Sequence, residues 1–372
     1  MKNNNKISII DPVGGYGGMN YTTHGYCLGL ISNNWKPYLF TCSDTSLKFS
    51  EIDTIYSFKD IWKKKFRIIK LIMLLYGYIS SFVLSNRKDI YFINLHFFKW
   101  GGLNLLILVL AKIFFKGKII VTIHDVESFH YKTNFIISKY GTLFTDGFMF
   151  FNEFSKDEFK KKYGLTKPFC IVSHGNYLHY FEKLPHRKKN KNSKIKLLFF
   201  GQLKKVKGID ILLEAFEIVC NKSSNFELTI VGRPWKINKS EMVEKFKSFK
   251  FNNNFNYNLN FISDKEVTNY YSNSDIVILP YTRIYNSAVM LLSYSYGRTV
   301  ITSDLPPFLD RVEHSVNGFS FKSGDPRSLA EAILSTLDFD LEVLGENGYL
   351  TVKNRNDWKK ESYKLIKFTQ SL

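Results

Sequence analysis

Cysteine is scarce in this 372-residue chain. Cys27, Cys42, Cys170 and Cys220 stand alone, with no CxxC pair and no Cys/His spacing of a metal site. That pattern speaks against a disulfide framework and a structural zinc, and predicts reduced core thiols in a cytosolic setting. Acid is the second shortage: 33 Asp and Glu face 52 Lys and Arg, a formal charge of +19. Such a balance favours anionic partners such as phosphates, anionic lipid surfaces or nucleic acid; a lysine-rich surface that is merely solvated is the plain alternative. The third shortage is long uncharged apolar runs. Phe66 to Leu84 is interrupted by Arg67 and Lys70, and the remainder, Leu71 to Leu84, is short for a bilayer. Leu103 to Phe115 is broken by Lys112. Both fit helices packed on a sheet, although "WKKKFR", Trp62 to Arg67, puts cations and aromatics where an anionic headgroup could meet them. A signal peptide is not expected, because the N-terminus enters a strand almost at once.

What is present is regular. Hydrophobic residues make up 45% of the chain, enough for full cores. Buried-type runs of four to seven residues alternate with helical spacers throughout: "KISIID", "PYLFTC", "DTIYSF", "DIYFIN", "GKIIVTI", "DGFMFFN" and "PFCIVSH", with long helices expected at Asp60 to Leu84 and Leu103 to Phe115. This is the signature of parallel sheets built from βαβ units. Composition then shifts. "LPHRKKNKNSK", Leu184 to Lys194, is cationic and aperiodic and reads as a linker. The alternation restarts with "IKLLFF" and runs through "FELTIV", "LNFIS", "DIVIL", "TVITS" and "NGFSF". The expected architecture is two doubly wound α/β units in tandem, 1–184 and 185–356, facing a cleft. Ligands of such sheets sit outside the carboxyl ends of the strands.

Those strand ends carry the candidate chemistry. In the second unit, Gly201 ends a strand and is followed by Lys204, Lys205 and Lys207 before Gly208 opens a helix. Lysines there are placed to neutralise phosphate. Gly232 ends another strand and allows close backbone approach. Ser287, Ala288 and Val289 open a helix after "DIVILPY", where unpaired amides and the helix dipole favour an anion. Charge, amides and room together suit a nucleotide diphosphate. In the first unit, Gly14, Gly15, Gly17 and Gly18 follow the first strand without completing the dinucleotide fingerprint. Gly15 is assigned to the far end of the donor, and Gly17 and Gly18 to a second ligand. "VTIHDVESF" puts His124, Asp125 and Glu127 beyond a buried strand: His124 to hydrogen-bond a sugar hydroxyl, Asp125 or Glu127 to act as general base. Helix capping by Asp125 is the bland alternative. His174, at the end of the first unit, faces the cleft or packs as a core histidine.

At these residues the chain resembles glycosyltransferases of the GT-B fold, in particular the family 4-like group. The likeness covers most of the second unit through "FFGQLKKVKGIDILLEAF", "ELTIVG", "FISDKEVTNYYSNSDIVILPY", "GRTVITSDLP", "VNGFSF" and "GDPRSLAEAI". The first unit matches loosely, through its glycine loop and "VTIHD". The resemblance implies sugar transfer from a nucleotide diphosphate sugar, with no bound metal or other cofactor and a final helix, 357–372, that crosses back to the first domain. Two positions depart from the family pattern. Gln202 stands where an arginine is usual, and the paired glutamates fall on Ile284 and Leu292. "PYTRIYNSAVMLLSYSYGRTVI" is similar to a subgroup that builds bacterial exopolysaccharide and O-antigen, some of it with mannose.

The expected protein is therefore a cytoplasmic glycosyltransferase, peripheral to the inner face of the membrane, with a lipid-linked saccharide as acceptor and no nucleic-acid partner. Two other readings stand beside it. A basic nucleic-acid- or membrane-binding protein would account for the charge but leave the glycine loops unexplained. An inactive transferase-like partner subunit would account for Leu292.

Overall fold

The computed structural model describes residues 5–15, 19–43, 47, 50–127, 140–184 and 193–372. The chain divides into two units, the first made of Met1–Gly175 and Asn356–Leu372, the second of Asn176–Arg355.

The first unit is built on a parallel sheet whose strands are β1 (Lys6–Asp11), β2 (Lys36–Thr41), β3 (Asp53–Ile55), β4 (Phe92–Phe97), β5 (Lys118–Ile123), β6 (Gly147–Phe150) and β7 (Phe169–Ile171), in the order β3-β2-β1-β4-β5-β6-β7. Ile7, Ile9 and Ile10 of β1 and Ile119, Ile120 and Val121 of β5 are buried. Continuous burial on both faces is what a parallel sheet covered by helices requires. Polar residues inside it are paired: Ser8 Oγ lies 2.8 Å from Ser85 Oγ, and Thr122 Oγ1 donates to Asn94 Oδ1 at 2.7 Å. Order reverses between β1 and β4, so the loops after these strands flank a switch point.

Helices Arg67–Arg87 and Gly102–Phe114 connect β3 to β4 and β4 to β5 and pack against each other. The first starts later than its sequence suggests. Only Ile61–Lys63 form a single tight turn, and Lys64 and Phe66 are extended. No side chain caps the helix there, and consecutive lysines oppose the positive end of its dipole. It also runs further, to Arg87, so its 21 residues are long and apolar enough to cross a membrane by length and composition, which corrects the reading of this run as too short.

The C-terminal helix Trp358–Ser371 packs on helix Met19–Ile31. Trp358 fills a socket made by glycines: a Cβ at Gly25 would stand 2.5 Å from its ring, and one at Gly175 would stand 2.1 Å away. Glu361 accepts from the Ser173 amide at 2.6 Å, and Leu365, Ile366 and Phe368 join the core around Ile7 and Ile9.

The second unit holds β8 (Ile195–Phe200), β9 (Phe226–Val231), β10 (Phe255–Asn258), β11 (Ile276–Leu279), β12 (Thr299–Ser303) and β13 (Gly318–Phe321), all parallel, in the order β10-β9-β8-β11-β12-β13. It begins earlier than the sequence reading at 185. Tyr177 donates its amide to Ser295 Oγ at 3.1 Å, Asn176 donates to Val352 O at 3.1 Å, and Phe181 packs on Tyr296. These side chains belong to the second core, although nothing in their local pattern says so. The presumed linker lies mostly outside the described residues, which resume at Ser193.

Candidate active site

In the second unit, backbones rather than side chains set the geometry at the carboxyl ends of β8, β9 and β11. Gly232 has φ +143°, and a Cβ there would fall 1.9 Å from Gly201 O. Gly208, with φ +68°, would place one 1.8 Å from Pro280 O. Both conformations and both approaches demand glycine. Further hydrogen bonds tie the loops together: Leu203 N to Arg233 O at 3.0 Å, Trp235 N to Leu203 O at 2.9 Å, and Thr282 N to Val206 O at 2.9 Å.

Onto this frame converge Lys207 and helix Ala288–Ser295. A Cβ on Gly201 would lie 3.2 Å from Lys207 Nζ and 3.4 Å from Val289 Cγ2. Lys207 Nζ also sits 4.9 Å from the Tyr281 ring centroid, the residue two beyond β11. Part of the Lys207 side chain reaches solvent, but its ammonium lies against Gly201 and Tyr281. Desolvation there, helped by the charge of Lys204, pulls its pKa down to about 7. Lys205 is exposed. Ser287 caps the helix, its Oγ accepting from Met290 N at 3.2 Å, which leaves the amides of Ala288 and Val289 in the open first turn. A cation short of solvation beside an open helix start is suited to a diphosphate. Leu292 lies one turn further along this helix, and it and Ile284 are half-buried.

In the first unit, His124 follows β5 directly. Its Nε2 lies 3.1 Å from Nδ1 of His96, near the end of β4, and its ring stacks on Phe98 at 4.3 Å. Burial pushes His96 down to about 3 and His124 well below the usual imidazole value, with the neighbouring histidines adding to the second effect. Both rings are thus neutral at physiological pH, so His124 can serve as a hydrogen-bonding group and not as a cation. His174 is buried, with Nδ1 2.9 Å from Gly175 O and Nε2 2.8 Å from Thr22 Oγ1. The carbonyl can only accept, so Nδ1 carries the proton and Nε2 accepts from the threonine. Both nitrogens therefore serve the interior of this unit, and the packed reading of His174 replaces the ligand-facing one.

Asp125 is half-buried beside His124. Glu127 instead forms an ion pair with Lys162 of helix Glu153–Tyr163. Gly15 lies in the loop after β1, next to β4 in the sheet; Gly17 and Gly18 fall outside the described residues.

Three contributors escaped the sequence reading. His96 announces itself only through its β4–β5 pairing with the His124 strand, and Tyr281 only through its contact with Lys207. Asp11, the last residue of β1, is buried, and burial raises its carboxyl pKa. Its Oδ1 takes the amides of Val13 at 2.9 Å and Gly14 at 3.4 Å, and its Oδ2 takes the Thr23 hydroxyl at 2.7 Å. An acid at the end of a buried strand, just before a glycine loop, was the available signal. Among the described residues no cluster of three or more His, Cys, Asp or Glu is arranged to hold a metal.

Two doubly wound parallel-sheet units with strand-end glycine loops define the GT-B fold of glycosyltransferases. The chain superposes on sucrose-phosphate synthase from Thermosynechococcus elongatus with a TM-score of 0.77 at 15% identity, over 98% of each chain. It superposes on Anabaena HepE in complex with UDP with a TM-score of 0.73 at 15% identity, over 99% and 100%. Residues 181–364 match the family model described as Glycosyl transferases group 1. A curated relative, the capsular polysaccharide biosynthesis glycosyltransferase CapM of Staphylococcus aureus, is 25% identical over 162 residues, 42% of this chain and 41% of the relative. The match therefore spans less than half the length of that relative.

Proposed function

We propose that the protein transfers a sugar from a nucleotide diphosphate sugar to a lipid-linked saccharide during assembly of a bacterial surface polysaccharide. Mannose is the donor sugar the resemblance favours, and exopolysaccharide or O-antigen the product class. The observation that carries the reading is the convergence of the Lys207 ammonium and the first turn of helix Ala288–Ser295 on the bare α-carbon of Gly201. When the bond from the anomeric carbon to the diphosphate breaks, its electron pair leaves with the nucleotide. Lys207, with Lys204, neutralises that charge, and the Ala288 and Val289 amides donate hydrogen bonds to the phosphate oxygens, the preorganised stabilisation such a step requires. Gly201 and Gly232 leave room for the phosphates, with Gly15 assigned to the donor's far end. Asp125 or Glu127 takes the proton of the attacking acceptor hydroxyl, and neutral His124 orients a sugar hydroxyl. Lysine and amides serve the diphosphate in place of a metal.

The capsule assignment of CapM and the UDP bound to HepE support this reading. The enzyme would work in the cytoplasm at the inner membrane face, where lipid-linked acceptors are presented, without a nucleic-acid partner. The test is release of nucleoside diphosphate from a panel of UDP- and GDP-sugars in the presence of membrane-extracted acceptor lipids, with and without EDTA. One donor should be consumed, and EDTA should leave the rate unchanged. A folded protein that consumes none of them and binds no nucleoside diphosphate favours the inactive-partner alternative.

A further inference from the structure

Helices Arg67–Arg87 and Gly102–Phe114 present an apolar face that the described residues do not cover. Ile68 is 73% exposed, Ile72 61%, Tyr76 70% and Ile113 66%. Ile68, Ile72 and Tyr76 follow each other at a spacing of four, so they form one stripe. Leu103 and Leu106 add to the second helix, and the two helices are joined where Asn86 Nδ2 donates to Phe114 O at 2.7 Å and its Oδ1 accepts from Lys116 N at 3.2 Å. Isolated exposed apolar residues need no explanation, but a stripe shared by two adjacent helices does.

Charge says what covers it. Across residues 61–118 there are eleven Lys and Arg and a single acid, Asp89. Lys63, Lys64, Lys65 and Arg67 are exposed at the head of the stripe, with half-buried Lys70 just behind them. Two copies of this face would bring like charges together, whereas an anionic headgroup layer neutralises them while the acyl boundary receives the isoleucines.

The face lies on the bilayer and does not cross it. The opposite side of helix Arg67–Arg87 buries Tyr78, Ser81, Phe82 and Ser85 in the first unit. Ser85 meets Ser8 of β1 at 2.8 Å, and a Cβ on Gly77 would stand 2.4 Å from the Phe58 ring. Inserting the helix across a membrane would expose the sheet behind it. From these observations we infer that the two-helix face is a monotopic docking surface for an anionic phospholipid bilayer. It rests on the proposed function only in supplying the surface that would meet a lipid-borne acceptor.

The test is flotation of the full chain with vesicles of phosphatidylglycerol and phosphatidylethanolamine, against vesicles of phosphatidylcholine alone. The wild type should float with the anionic vesicles and be largely released by high salt. The double variant Ile68→Asp/Ile72→Asp should lose about tenfold or more of that binding. Acids in the first turns of a helix are favourable, so this variant should keep its melting transition. Phe261→Asp/Leu309→Asp, also exposed apolar sites but in the second unit, should float like wild type. UDP and GDP affinity measured on the same variants should not change, which separates this inference from the donor reading. Equal flotation of both double variants would overturn it. So would a wild type that ignores anionic vesicles, or an Ile68/Ile72-dependent dimer without vesicle binding. Release by detergent alone would indicate a span instead.

Discussion

Lys207 is a lysine whose charge is poorly solvated until something anionic arrives. With its pKa drawn down to about 7 by desolvation and Lys204, much of it is neutral at pH 8. A diphosphate beside it favours the charged form, so nucleotide binding at pH 8 should take up a proton, and affinity should weaken as pH rises above about 7. Isothermal titration with UDP or GDP in buffers of different ionisation enthalpy measures this directly; no proton uptake means Lys207 does not meet the phosphates. Lys207→Ala should weaken binding by about 1.5–3 kcal/mol, roughly ten- to a hundredfold, and exposed Lys205→Ala by much less. The buried histidine pair makes a second residue-scale prediction. In the unfolded chain His96 titrates near the ordinary imidazole value of 6.5, and in the folded protein at about 3, so between these values the unfolded state binds more protons. Its contribution to stability is fully present above 6.5 and is lost as pH falls toward 3. Denaturant unfolding of wild type and His96→Phe between pH 7.5 and 5 should therefore show a shallower loss in the variant. Lys207 was singled out in the sequence because cations at a strand end sit where the ligand crevice of such a sheet lies. The commitment of Glu127 to Lys162 was not, since its partner comes from a helix packed on a different strand.

At the scale of elements, the strands were readable because burial on both faces leaves unbroken apolar runs such as "KISIID" and "DIVIL". Helix starts were less so: the helix expected from Asp60 does not begin there, because Asp60 adopts a left-handed conformation and makes no side-chain cap bond, and regular helix waits until Arg67. The packing of the last helix against the first was suggested only by resemblance, because its determinants are glycines 150 and more residues apart along the chain. Gly25 and Gly175 are small so that Trp358 can be large. Trp358→Ala should destabilise the protein by about 3–5 kcal/mol, read from chemical denaturation of the full chain. A cost below about 1 kcal/mol would mean that the helix is not held through this socket.

For the whole molecule, alternation of apolar runs and helical spacers was enough for two doubly wound units, but not for their division. The sequence shows a cationic change of composition at Leu184 to Lys194, whereas the division follows packing, and Tyr177 and Phe181 already belong to the second core. The charge of +19 was legible as a preference for anions. The sequence already pointed to two kinds of anion, phosphate at the Lys207 loop and a lipid headgroup at Trp62 to Arg67; the fold adds the exposed apolar stripe of Ile68, Ile72 and Tyr76 beside the second. The donor sugar was not legible, because specificity rests on loop contacts that neither length nor periodicity encodes.

The loops after β8, β9 and β11 are proposed to hold the diphosphate of a nucleotide sugar. The most direct measurement is titration of the full chain with UDP and with GDP, monitored by calorimetry, for wild type, Lys207→Ala and Lys205→Ala, each first shown to be folded by its melting transition. Wild type should bind one nucleotide saturably, Lys205→Ala should bind it nearly as well, and Lys207→Ala should lose about ten- to a hundredfold in affinity. Equal affinity of all three folded proteins, or no binding by wild type, would contradict that placement of the diphosphate.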